Sequence, residues 1–210
     1  SAEAVASAEA VASAEAVASA EAVPSVEAAP SPIVDDDADK ASPQQIDVVF
    51  SVDCTASMGP YIRAAQASCT RIMTQLSEAE GCDARFGLVA YRDHAPQDHT
   101  FVTRVFDFTS DAATFQQHVD WMRAQGGGDG PEAVAASLAA CVSMPWRPAA
   151  TKVVVHIADA PPHGLGEAGD GFANGAPTGV DPLVVLDAMS KRGITIYSVG
   201  CQPALSAYAY

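Results

Sequence analysis

The chain has 210 residues, enough for one domain and a tail. Its 26 acidic residues against 11 Lys and Arg leave a formal charge of −15, which argues against nucleic acid and anionic membrane surfaces as partners. The longest apolar runs are strand-sized, so no membrane-spanning helix is expected, and no basic segment followed by an apolar one marks a signal peptide. The five cysteines, at 54, 69, 82, 141 and 201, are odd in number, widely spaced and without a CxxC pair. Three fall in apolar helix or strand patterns, where Cys acts as a small hydrophobe, so a reducing, cytoplasmic setting is expected.

Residues 1–22 repeat the hexapeptide Ser-Ala-Glu-Ala-Val-Ala, and a decayed copy runs to Pro30. Six residues turn a helix by about 240° net. The valines at 5, 11, 17 and 23 therefore fall on different sides and form no apolar stripe. Pro24, Pro30 and Pro32, then Asp35, Asp36, Asp37 and Asp39, read as a linker. Residues 1–45 are expected to be a disordered acidic spacer, and 46–210 the folded domain.

The folded part opens on Ile46, Val48, Val49, Phe50 and Val52. A run apolar on both faces predicts a central strand of a parallel sheet. It ends at Asp53, with Thr55 and Ser57 following, and Pro60 is expected at the first position of a helix running through Tyr61 to Glu80. Arg85–Arg92 reads as a strand, Asp93–Thr100 as a polar, solvated loop, and Phe101–Phe108 as a partly exposed strand. Too few residues connect these strands for a crossover helix, so they are expected to pair antiparallel. Ser110 is expected to cap a helix through Gln125. Gly126-Gly127-Gly128 ends it, and Asp129-Gly130-Pro131-Glu132 opens another that Pro145 stops. Lys152–Ala158 is a second buried strand, ending at Asp159. A Gly-rich loop covers 161–181, Pro182–Arg192 reads as a helix and Ile194–Val199 as a strand, with a further helix expected to begin near Tyr210. The alternation predicts an α/β fold: a doubly wound, mainly parallel sheet with one antiparallel edge pair.

Ligands of open α/β sheets bind at the carboxyl ends of the strands. Asp53, Thr55 and Ser57 put three hard oxygens in one turn there. Asp159 ends a second central strand, and Asp129 sits on a loop able to fold over the same edge. Three carboxylates and two hydroxyls suit Mg²⁺ or Mn²⁺, with one position open to a ligand. His163 and Gly130 are candidates for the rim of such a site. His156, mid-strand, reads as a satisfied core histidine. His94 and His99 read as solvated loop residues, and Trp146 as a core anchor.

The order strand–DxTxS–helix, GGGD–helix, strand–Asp closely resembles the von Willebrand factor A (vWA) domain and its metal-ion-dependent adhesion site. The resemblance covers about residues 45 to 210. It implies that Asp53, Thr55 and Ser57 match the family's DxSxS, with Thr for the first Ser. It also implies that Asp129 stands where the family usually has Thr, and that Asp159 matches the later Asp. Tyr91-Arg92-Asp93-His94, residues 126–132 and Asp159-Ala-Pro-Pro-His-Gly164 resemble an intracellular branch that includes vWA domains attached to atypical α-kinases; the chain itself holds no kinase segment. The family's last strand and flanking helices are missing, so the domain reads as truncated at its C-terminus. The resemblance implies a divalent-metal-dependent module that binds a protein partner through its metal-site face and has no catalysis of its own.

Two rival readings remain. One is a Mg²⁺-dependent phosphotransferase or phosphatase using Asp53 as nucleophile. Such enzymes want a second Asp at position 55, which is Thr here, or a nearby Lys, and Lys191 sits late in a helix. The other is a structural domain with an empty site.

Overall fold

The computed structural model describes residues 42–201. The expected spacer lies outside the described residues up to position 41, as does the helix expected near Tyr210. Five strands form one sheet in the order β3-β2-β1-β4-β5. They are β1 (Gln44–Asp53), β2 (Cys82–Tyr91), β3 (Thr103–Thr109), β4 (Thr151–Ala158) and β5 (Ile194–Gly200). All neighbours pair in parallel except β2 and β3, which are antiparallel. The sheet carries α1 (Ile62–Ser77) and α2 (Ala112–Trp121) on one face, and α3 (Val134–Ser143) and α4 (Pro182–Lys191) on the other.

The apolar run of β1 explains why it is central. Val48, Phe50 and Val52 face the first layer and Val49 the second, each buried. Phe115 of α2 sits against Phe50 and Phe86, with ring centroids 5.6 and 5.5 Å away. Each such fully buried side chain contributes about 1.5–3 kcal/mol of transfer free energy. His156 accepts or donates a 3.0 Å hydrogen bond with Ser51 Oγ and stacks on Tyr91, so it is a satisfied core residue. Trp146 packs edge-on to Phe108 and donates Nε1–H to the Cys141 carbonyl. Among the described residues no helix is long and apolar enough to cross a membrane.

Five local expectations about helix ends fail. Pro60 is not at the first position of α1. A 3₁₀ turn over Ala56–Met58 comes first, Gly59 and Pro60 follow it, and α1 starts at Ile62. The predicted end at Glu80 is also late, since the helix stops at Ser77. Asp111, not Ser110, caps α2: its carboxylate accepts from Thr114 N–H, and a carboxylate is the stronger acceptor at a helix start. That helix ends at Trp121 because Met122 turns to extended backbone and buries its side chain. The helix expected to open at Asp129 begins only at Val134, which leaves residues 129–133 as an irregular loop over the sheet edge.

Candidate metal centre at the carboxyl edge of the sheet

Asp53 ends β1, and the next residues fold back on it. Its Oδ1 accepts from Thr55 N–H at 2.8 Å and from Thr55 Oγ1–H at 2.7 Å. This is local Asx-type turn chemistry, which a short carboxylate supports without help from the rest of the chain. The 3₁₀ turn then swings Ser57 towards β4. Ser57 Oγ lies 3.1 Å from Thr55 Oγ1 and donates to Asp159 Oδ1 at 2.9 Å. Strands β1 and β4 are direct parallel neighbours, with Val52 opposite Ile157, so Asp53 and Asp159 leave the sheet side by side. The structure therefore joins four of the five predicted residues in one hydrogen-bonded line.

Asp129, the fifth, is on the same edge but turned differently. It shares a pocket of about 340 Å³ with Ser57, Glu132 and Asp159, and predicted rim residue Gly130 lines it too. Its Oδ2 accepts from Gly171 N–H at 2.6 Å. Its carboxyl group comes together with those of Asp93 and the imidazole of His163, ligand atoms within 4.8 Å of one another. His163, expected at the rim, is instead buried, with Nε2 2.7 Å from Asp93 Oδ1 and Nδ1 2.8 Å from Asp170 Oδ1.

Two functional candidates escaped the sequence reading. Glu132 passed as a helix-start residue. It is buried, its N–H donates to the Pro161 carbonyl, and its side chain reaches Thr55. Asp93 was assigned to a solvated loop, yet Arg92, Asp93, His94 and Asp98 are all buried. The cause is Arg92. Its guanidinium donates to the carbonyls of Cys54 and Arg123 and to Thr100 Oγ1, and it lies over the Phe101 ring, so the loop folds inward around it. The proximity of Asp93 and Asp129 in sequence to His94 and the Gly run was the available signal. The Gly run now has a reason: Gly127 has φ +76, and a Cβ there would stand 2.7 Å from Glu132 Oε1 and 3.2 Å from Thr55 Cβ.

The electrostatics are unfavourable as the residues stand. Burial pushes Asp53 up to about 7. The charge of Asp159 adds to this, while Thr55's hydrogen bonds and the nearby Tyr91 hydroxyl oppose it. Burial, and then the charges of Asp53, Asp93 and Asp129, push Glu132 up to about 10. Burial also raises Asp129 and Asp159. Among the described residues, Asp53 Oδ2, Asp93 Oδ2, Asp129 Oδ1 and Glu132 Oε2 are buried and accept no hydrogen bond of ordinary geometry. Buried acceptors are normally satisfied. Several orphaned carboxylate oxygens at one edge fit a bound cation, and the hard oxygen donor set fits Mg²⁺ or Mn²⁺.

The fold and edge define a doubly wound α/β domain with an acidic, hydroxyl-bearing cluster at the carboxyl edge of its sheet. The model of the von Willebrand factor A domain family matches residues 47–164, and the chain belongs to that family. The alpha-protein kinase vwkA of Dictyostelium discoideum is 37% identical over 155 residues, which are 72% of this chain and 24% of that protein. The chain thus spans about a quarter of that relative's length. Among solved structures, the pilus adhesin SpaC of Lactobacillus rhamnosus GG aligns with TM-score 0.54 at 13% identity, over 75% of this chain and 24% of the adhesin. Proximal thread matrix protein 1 of the mussel byssus aligns with TM-score 0.55 at 16% identity, over 76% and 36%. At these identities the structural matches speak for the fold alone.

Proposed function

We propose that the domain is a divalent-cation-dependent protein-binding module without catalysis of its own. Asp53, Thr55, Ser57 and Asp159 would hold Mg²⁺ or Mn²⁺, with Asp129 and Glu132 bounding the pocket. The observation that carries this reading is the set of buried carboxylate oxygens at this edge that accept no hydrogen bond of ordinary geometry, two of them, on Asp129 and Glu132, in the wall of one pocket. The ion would supply positive charge and one coordination position for an oxygen of the partner. The chain's own residues do the rest. Thr55 and Ser57 orient the two strand-end carboxylates, and the loop at 126–132 walls the pocket.

The number of carboxylates decides what kind of partner fits. Asp53, Asp129 and Asp159 alone outweigh the charge of one dication, and Glu132 adds to them when ionised. A partner's Glu or Asp would meet net negative charge, so a neutral oxygen, from a peptide carbonyl or a hydroxyl, suits the open position better. The phosphotransferase alternative has little support. Position 55 is Thr, and Lys191 pairs with Asp187 at the far end of α4, where the chain is about to enter the amino end of β5. Membership of a larger signalling protein, working in a reducing cytoplasm, is supported by the named relative and by five free cysteines, three of them buried.

Calorimetry on the wild type and on Asp129→Thr, with Mg²⁺ and with acidic and neutral peptides, tests the reading. Wild type should bind Mg²⁺ and be stabilised by about 2.7 kcal/mol at a hundredfold excess over Kd. The Asp129→Thr variant should hold Mg²⁺ more loosely and take the acidic peptide better. Absence of Mg²⁺ or Mn²⁺ binding by wild type overturns the metal assignment. Tighter Mg²⁺ binding by the variant overturns the charge argument.

A further inference from the structure

Beside the all-oxygen line of Asp53, Thr55, Ser57 and Asp159 lies a second cluster of different chemistry. It draws on three separate loops: Asp93 after β2, Asp129 before α3 and His163 after β4. One ligand atom from each lies within 4.8 Å of the others. The side chains of Asp93 and His163 are 0% and 1% exposed.

The imidazole is prepared on its far side. Asp170 Oδ1 takes the Nδ1 position at 2.8 Å. Asp170 is itself held by Gly164 N–H at 2.8 Å and Phe172 N–H at 2.7 Å. The Phe172 ring stands edge-on to His163 with centroids 4.8 Å apart. A carboxylate on one ring nitrogen orients the ring and makes the other nitrogen a better donor, the arrangement found behind metal-bound histidines. That other nitrogen, Nε2, faces Asp93. Independently of the cluster's composition, Asp93 Oδ2 and Asp129 Oδ1 are buried and accept no hydrogen bond of ordinary geometry, the two carboxyl groups facing each other. A fully buried carboxylate oxygen without a donor points to a missing cation rather than to a solvated acidic patch.

We propose that Asp93, Asp129 and His163 form a second cation centre for a borderline transition-metal ion of the Zn²⁺ class, with Asp170 as the outer brace of His163. The imidazole separates it from the first centre, because nitrogen donors suit Zn²⁺ and its neighbours while Mg²⁺ prefers oxygen. Asp129 and Glu132 lie towards both groups, so the two centres would share one acidic wall. The proposal does not depend on the first centre binding Mg²⁺.

The test uses the full chain, stripped of metal and dialysed against Zn²⁺ in saturating Mg²⁺, with bound metal counted by elemental analysis. Wild type should retain about one Zn²⁺ per chain. The His163→Gln variant should lose it. The Asp170→Asn variant keeps all three ligands and should bind Zn²⁺ about 10–100-fold more weakly. Ser57→Ala, which disables the first centre, should keep its Zn²⁺. Co²⁺ in the wild type should give a visible d–d spectrum without a thiolate charge-transfer band. No retained Zn²⁺ in wild type would mean that His163 is a protonated clamp between Asp93 and Asp170, and overturns the proposal. Unchanged retention in His163→Gln, or a thiolate band with Co²⁺, overturns it too.

Discussion

The two ends of the sheet bury acids in opposite ways. At the amino end, Asp47 of β1 is fully buried and fully answered. Arg85 and Arg147 each reach it at 2.8 Å, Arg85 Nε–H and Arg147 N–H add two more hydrogen bonds, and Arg147 also pairs with Asp83. Burial works against the ionised form, but these partners outweigh it and hold the Asp47 pKa below the usual range. At the carboxyl end, Asp53, Asp93, Asp129, Glu132 and Asp159 meet one another, and burial raises every pKa that moves. The same residue type on the same strand, six positions apart, is a structural fixture at one end and an unmet demand at the other. Acids answered by arginines mark a structural site; buried acids clustered with shifted pKa values mark a candidate for binding, the reading proposed above.

The largest break in this comparison should come from the amino end. Arg147→Ala strips the buried Asp47 of a charge partner and several hydrogen bonds, and should cost about 3–5 kcal/mol in denaturant unfolding, with or without metal. A loss below 1 kcal/mol would show that Arg85 alone suffices.

The carboxyl end should respond with the opposite sign. In chelator, Asp53→Asn removes a buried charge whose Oδ2 accepts no hydrogen bond of ordinary geometry, and should raise stability by about 1–3 kcal/mol. It should also abolish stabilisation by Mg²⁺. A destabilised variant in chelator would mean that the carboxylate is structural, as Asp47 is.

The effect that is smallest per step, and the sharpest, is in pH, read one unit at a time. Glu132, at about 10, and Asp53, at about 7, have folded pKa values above their ordinary ones. The folded state then binds more protons than the unfolded one. Their contribution is fully present below about pH 4 and is lost as pH rises through 7 and towards 10. Asp47, shifted down, contributes above about pH 4 and loses its contribution only in acid. Metal-free protein should therefore lose stability between pH 5 and 9, by up to about 1.4 kcal/mol per pH unit for each titrating group. The slope should shrink in Glu132→Gln. Thermal melts across this range in chelator check it; an unchanged slope in the variant would clear Glu132 of the role.

How much of this was legible depended on how local each cause is. The parallel core was readable because Ile46 to Val52 is apolar on both faces, which only a strand covered on both sides tolerates. The turn at Asp53, Thr55 and Ser57 was readable because its hydrogen bonds span two residues. The antiparallel pair followed from a connection too short to cross over. Glu132 was hidden because nothing near it in sequence distinguishes a helix-start acid from one folded under a loop by the Pro161 carbonyl. Asp93 and His94 looked solvated because their burial is the work of Arg92, which finds its partners at Cys54, Thr100 and Arg123.

The sequence by itself determined the order of elements and the strand-end carboxylates Asp53 and Asp159, because periodicity and turn chemistry act over a few residues. Only the tertiary structure decided which acids share a site. It turned Asp129 towards Asp93 and His163, sank Glu132 beside Thr55, and gave Asp47 two arginines from elsewhere in the chain. Charge interactions depend on distance through space and on the water excluded, and neither quantity is written along a chain.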